Sequence, residues 1–155
     1  MSDSGVTLSF AFFGEAQVSR TLERFGGQGV DLSPAWDRIT RLFLESQRRQ
    51  FASEGAFGSG GWAPLSPAYA AWKRRAYPGK TILRRTDELY RSLTSGPQVR
   101  IATPKRLTLG SAVAHGVYHQ RGDGVPRRRP VDLPETIRRS ATKLVHEALV
   151  KGGGR

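Results

Sequence analysis

The sequence predicts an α+β fold: a small antiparallel sheet packed against two main amphipathic helices, with long loops and a basic arm. Three observations carry that expectation. Apolar residues alternate at period two in Val6–Phe12 and again from Val99 to Leu109. Ser33–Ser53 and Glu135–Val150 carry apolar residues at helical spacing instead. Between them, 18 Gly and 9 Pro in 155 residues imply substantial loops around a small core.

In the first strand Val6, Leu8, Phe10 and Phe12 alternate with Thr7, Ser9 and Ala11. Val18, Leu22 and Phe25 sit at i, i+4, i+7, so Glu15–Phe25 reads as a short helix stopped by Gly26-Gly27. Ser33-Pro34 is an N-cap signal opening a stronger helix. In it Trp36, Ile39, Phe43, Leu44, Gln47 and Phe51 make one stripe, with arginines opposite. Residues 55–61 read as a flexible loop. Ser66-Pro67 caps a further helix through Tyr69 and Trp72 to about Arg75, and Tyr77-Pro78-Gly79 breaks it. Thr86–Leu93 makes another short helix. Gln98–Thr103 and Arg106–Gly110 form a hairpin turning at Pro104-Lys105. Ala112–Gln120 is a short helix ended by Gly122. Arg121–Pro130 reads as an exposed, extended arm with four arginines. Pro134 opens the last helix, whose face is Ile137, Ala141, Leu144, Val145 and Ala148, and residues 152–155 make a disordered tail.

The length fits a single domain over residues 1–155, able to bury roughly 70% of the surface its unfolded chain exposes. With no cysteine, the chain has no disulfide, thiolate metal site or cysteine nucleophile. No apolar run approaches the length of a membrane span, and Met1–Phe13 lacks the basic start of a signal peptide. The expectation is a soluble protein that stays in the cytosol until used, with no membrane partner. The net charge of +12 is uneven: residues 1–54 hold six Lys/Arg against seven Asp/Glu, and residues 55–155 hold nineteen against six. A basic half attracts nucleic acid or an acidic protein surface, although a solvated basic surface explains it equally well.

No stretch supplies an active site. Gly79-Lys80-Thr81 has the end of a phosphate-binding loop, but Arg74 stands where that motif needs its first glycine. His115 and His119 share a helical face at i, i+4, yet no third metal ligand is evident, and the pair reads as packed or solvent-facing. Asp87 and Glu88 project about 100° apart on a helix and make a poor metal clamp. Arg121-Gly122-Asp123 is explained by a glycine turn. The run Arg127–Arg129, flanked by Pro126 and Pro130, suits phosphate or carboxylate contacts. No cofactor is implied, and no groove-reading nucleic-acid motif is present.

A series in fixed order remains. Phe51 and Glu54-Gly55 precede Trp62-Ala63-Pro64-Leu65-Ser66-Pro67, then Lys73, Ile82-Leu83, Thr86, Leu89 and Ser92-Leu93. Val99-Arg100-Ile101, Tyr118-His119-Gln120, Gly122, Pro126 and Arg129-Pro130 follow. This series resembles the phage virion morphogenesis family, the Mu-like and P2-like tail completion proteins, and the resemblance covers roughly residues 6–133. It departs from the family pattern at Asp87, where a glycine is usual, and at Val131, where an aromatic is usual.

The resemblance implies a structural virion protein without catalysis, at the head-proximal end of the tail. It implies a homo-oligomeric ring, commonly a hexamer, that caps the tail tube protein and meets a neck or connector protein. Nonspecific contact with passing DNA is also expected. Candidate interface residues are Trp62, Leu65, Tyr69, Trp72, Lys73, Tyr118, His119, Arg127, Arg128 and Arg129. The other readings are an adjacent neck or connector protein and a basic nucleic-acid-binding accessory protein, which a salt-dependent duplex gel shift would reveal.

Overall fold

In a computed structural model the described residues are 6–11, 31–58 and 60–152. Phe12 of the first strand, the helix expected over Glu15–Phe25 with its glycine stop, and residues 153–155 lie outside them. The described elements run β1 (Val6–Ala11), α1 (Ser33–Ala52), α2 (Pro67–Ala76), α3 (Glu88–Thr94), β2 (Val99–Thr103), β3 (Arg106–Ser111), α4 (Ala114–Arg121) and α5 (Glu135–Gly152). The α+β class expected from the sequence is the one observed.

The sheet is antiparallel with strand order β1-β3-β2. Leu8 is opposite Leu109 and Phe10 opposite Leu107, while Arg100 and Ala102 face the same two leucines from β2. In the central strand Leu107 and Leu109 are fully enclosed, whereas β2 at the edge is mostly exposed.

Helix α1 forms the spine of the core. Trp36, Ile39, Phe43, Gln47 and Phe51, about one helical turn apart, are all buried. The Trp36 indole N–H donates to the Thr103 carbonyl at 2.7 Å, and Leu32 N–H to Pro104 at 2.8 Å, so the hairpin turn holds the start of α1. Ser33 is not the cap. It is the first helical residue, and its own N–H is taken by the Asp31 carboxylate at 2.9 Å. Ala141, Val145 and Leu149 of α5 and Leu89 and Leu93 of α3 join α1 in the core. Ile137, Leu144 and Ala148, expected on the same face of α5, are partly buried around it.

Helix α3 starts two residues later than its sequence pattern predicts. Asp87 sits at φ 62°, a left-handed conformation that cannot continue a helix.

Candidate assembly surface

The surface is built outward from the end of α1. After Ser53 the backbone turns through Glu54 (φ 48°) and Gly55 (φ 88°). A Cβ on Gly55 would lie 2.4 Å from Cδ1 of Trp62, so only glycine lets the indole settle there. Trp62 N–H donates to the Glu54 carbonyl at 2.7 Å, and its ring meets Phe51 edge-on at 5.3 Å. Its indole N–H reaches the Arg129 carbonyl at 2.9 Å. Gln50 donates to that same carbonyl at 3.1 Å and accepts from Gly58 N–H at 2.9 Å. The loop read as flexible is thus tied to itself and to α1, with Gly58 and Gly61 N–H both donating to Gly55 at 3.2 Å.

The arginine run does not stand out as an exposed arm. Arg127 is exposed, Arg129 is half-buried and Arg128 is only 6% exposed. Arg128 donates from Nε to the Ala63 carbonyl at 2.6 Å and from Nη2 to Pro64 at 2.9 Å. Its backbone N–H is held by His119 at 2.9 Å, and the Gln120 amide pairs both ways with the Val131 backbone at 2.9 and 3.1 Å. Residues 128–131 therefore form a strap pinned between α4, α1 and the Trp62 segment. Backbone groups running beside folded elements must find partners, and these side-chain amides supply them.

Helix α2 begins at the predicted cap: Ser66 Oγ accepts from Tyr69 N–H at 3.4 Å. Its packing inverts hydrophobic expectation. Lys73 is its one buried residue, with Nζ donating to the Thr81 carbonyl, while Tyr69 and Trp72 are 40% and 42% exposed. Tyr69 stacks on Trp72 at 5.3 Å, and Trp72 meets Tyr77 at 5.6 Å. Two aromatic chains result. Tyr90–Phe51–Trp62 runs inside, and Tyr69–Trp72–Tyr77 faces outward. Trp62, grouped with Tyr69 and Trp72 as one surface by sequence, belongs to the inner chain.

The connection from α2 to α3 is organised by Asp87. Its buried carboxylate accepts from Lys80 Nζ and from Arg84 Nε at 2.8 Å. The Arg84 hydrogen bonds above all, with Lys80 and against burial, hold its pKa down at about 2. Arg84 also lies over the Tyr90 ring at 3.9 Å, tying the connection to the inner aromatic chain.

Between α2, this connection, α4 and the strap lies a cleft of about 890 Å³, lined among others by Leu65, Tyr69, Lys73, Arg85, His119 and Arg128. Burial lowers the Lys73 pKa, with Arg85 and Arg128 adding to the effect against the pull of Glu54. Burial also lowers the His119 pKa, helped by Arg128 and His115, which favours the neutral imidazole. His115 and His119 share the α4 face as predicted and both line the cleft. Among the described residues no group of three His, Cys, Asp or Glu is placed to hold a metal. Leu65 is half-buried and Tyr118 is 54% exposed.

The ordered motif pieces noted in the sequence thus touch one another. Glu54-Gly55 seats Trp62, Ala63-Pro64 accepts from Arg128, and His119-Gln120 pins the strap. The sequence pattern of the phage virion morphogenesis family matches residues 14–144. The chain belongs to this family. No curated protein and no solved structure gives a match. Its role lies in building the phage virion. Asp87, noted in the sequence as a departure from the family pattern, takes a left-handed backbone and supplies a carboxylate for two cations. Val131, the other departure noted in the sequence, is a buried core residue. Gln50 was not singled out as a functional residue by the sequence. Glutamine on a helix is ordinary, and only the tertiary position of the Arg129 carbonyl gives it a role.

Proposed function

We propose that this protein completes the phage tail, forming a homo-oligomeric ring at its head-proximal end through which the tail joins the head. The observation that carries this reading is α2, which buries a lysine and turns Tyr69 and Trp72 to the surface beside Tyr77. Exposed neighbouring aromatics anchor protein interfaces, because they bury much area with few rotors to freeze. The basic flank of Arg74 and Arg75 favours an acidic counterpart. Ring contacts between copies use two different patches per subunit, and the α2 face is one of them.

The expected ring is a hexamer, with the tail tube protein on one side, a neck or connector protein on the other and only nonspecific contact with passing DNA. The protein is then a structural part of the tail or neck, assembled in the host cytoplasm, and works without chemistry or cofactor. Electron microscopy of particles made without this protein tests the reading. Unjoined full heads beside tails of abnormal length would support termination, and unjoined tails of normal length would point to joining or a connector role. Intact virions of normal tail length would refute it. Strong, salt-dependent duplex binding by the isolated protein would favour the nucleic-acid accessory reading instead.

A further inference from the structure

We propose that the cleft between α2 and the strap is a docking site for a carboxylate carried on an apolar peptide segment of a neighbouring protein. The first argument is a pair of buried cations with no carboxylate in ion-pair contact among the described residues. Lys73 and Arg128 are 4% and 6% exposed and both line the cleft. Among the described residues neither forms an ion pair, although Glu54 lies near enough to act on Lys73: Lys73 donates to the Thr81 carbonyl, and Arg128 to those of Ala63 and Pro64. The fold has already removed these charges from water and fixed them with neutral acceptors. An arriving carboxylate therefore meets preorganised, desolvated cations and forms charge-assisted contacts stronger than surface pairs.

The acids on the cleft wall do not fill this need. Asp87 is committed to Lys80 and Arg84, and Glu88 is exposed. Arg85, exposed at the cleft wall, adds a third cation, while His119 contributes a half-buried ring whose Nδ1 is buried without a hydrogen-bond partner among the described residues.

The remaining walls choose between anions. Leu65, Leu83, Val125 and Pro126 line the same space. Duplex phosphates lie on a convex, hydrated backbone and are met by exposed Arg and Lys. A concave site with apolar walls and a few fixed charged groups suits a peptide side chain or chain end flanked by aliphatic residues. The inference holds wherever in the virion the protein sits, so it can fail without the tail-completion reading failing, and the reverse.

The test compares acetyl-Leu-Glu-Leu-amide with acetyl-Leu-Gln-Leu-amide by calorimetry and by NMR of the His119 ring on the full chain. The charged peptide is expected to bind about tenfold more tightly and to shift the His119 signals. Lys73→Met, which keeps the buried apolar stem, should abolish that preference, and Arg85→Gln, at an exposed position, should weaken it without disturbing the fold. Equal binding of the two peptides, no binding of either, or a preference surviving in both variants would overturn the proposal. Displacement of the bound peptide by a short DNA duplex would overturn it in favour of a phosphate site.

Discussion

Replacing Asp87 by asparagine tests how the α2–α3 connection is held. Asparagine has nearly the same shape and tolerates the left-handed backbone at φ 62°, so the substitution removes the charge and leaves the turn. The Asp87 side chain is 7% exposed and faces Lys80 and Arg84, which are 35% and 31% exposed. Its carboxyl is lowered from 3.8 to about 2. At about 1.36 kcal/mol per tenfold in acidity, that difference is worth about 2 kcal/mol of folding stability. The two cations left behind can turn to solvent, so little is added for stranding them. For a chain of this size the loss lowers Tm by roughly 4–8 °C at neutral pH.

The sign of the pH dependence is fixed. A carboxyl depressed in the folded state contributes fully above its unfolded pKa of 3.8 and loses that contribution as pH falls through about 2. Thermal unfolding of wild type and Asp87→Asn, followed by circular dichroism from neutral pH downward, should show a gap that is constant to about pH 4 and then closes. Equal Tm values at neutral pH, or a gap that persists undiminished in acid, would refute the assignment of Asp87 as the organising charge.

Three further outcomes follow from the same geometry, each read by denaturant unfolding. Gly55→Ala should cost at least ~2 kcal/mol, because its Cβ would meet Trp62 at 2.4 Å on a backbone at φ 88°. Gln47→Met should raise stability by about 1 kcal/mol, since both polar atoms of the Gln47 amide are buried without a hydrogen-bond partner among the described residues; a loss would mean that the amide is satisfied after all. Arg127→Glu should change stability by less than ~0.5 kcal/mol, while Arg128→Glu, placing a carboxylate against the Ala63 and Pro64 carbonyls, should cost ~3 kcal/mol or more. Similar behaviour of the two arginine variants would show that the strap is not pinned.

Much of the fold was legible because periodicity is local. The alternation at Val99–Leu109 and the stripe from Trp36 to Phe51 dictate their elements without outside help; the Ser66 hydroxyl caps its helix, and Gly122, lacking a Cβ, ends its own at φ 84°. The site was less legible because its choices are tertiary. Three consecutive arginines are indistinguishable in sequence, yet His119 and Gln120 fix the strap so that Arg128 turns inward and Arg127 outward. Trp62 and Trp72 also look alike. The Gly55 turn draws one onto Phe51, while a helix anchored by the long stem of Lys73 leaves the other at the surface. Sequence hydrophobicity would bury Trp72 and expose Lys73, and the Thr81 carbonyl reverses that order.

The exposed face of α2 is the centre of this account, and one measurement addresses it most directly. Particles assembled with the Tyr69→Ala/Trp72→Ala variant should be imaged by electron microscopy after the purified variant has been shown to fold. The account predicts heads and tails that stay separate, or tails of uncontrolled length, although the variant itself is folded. Normal joined virions from a protein lacking both aromatics would contradict it.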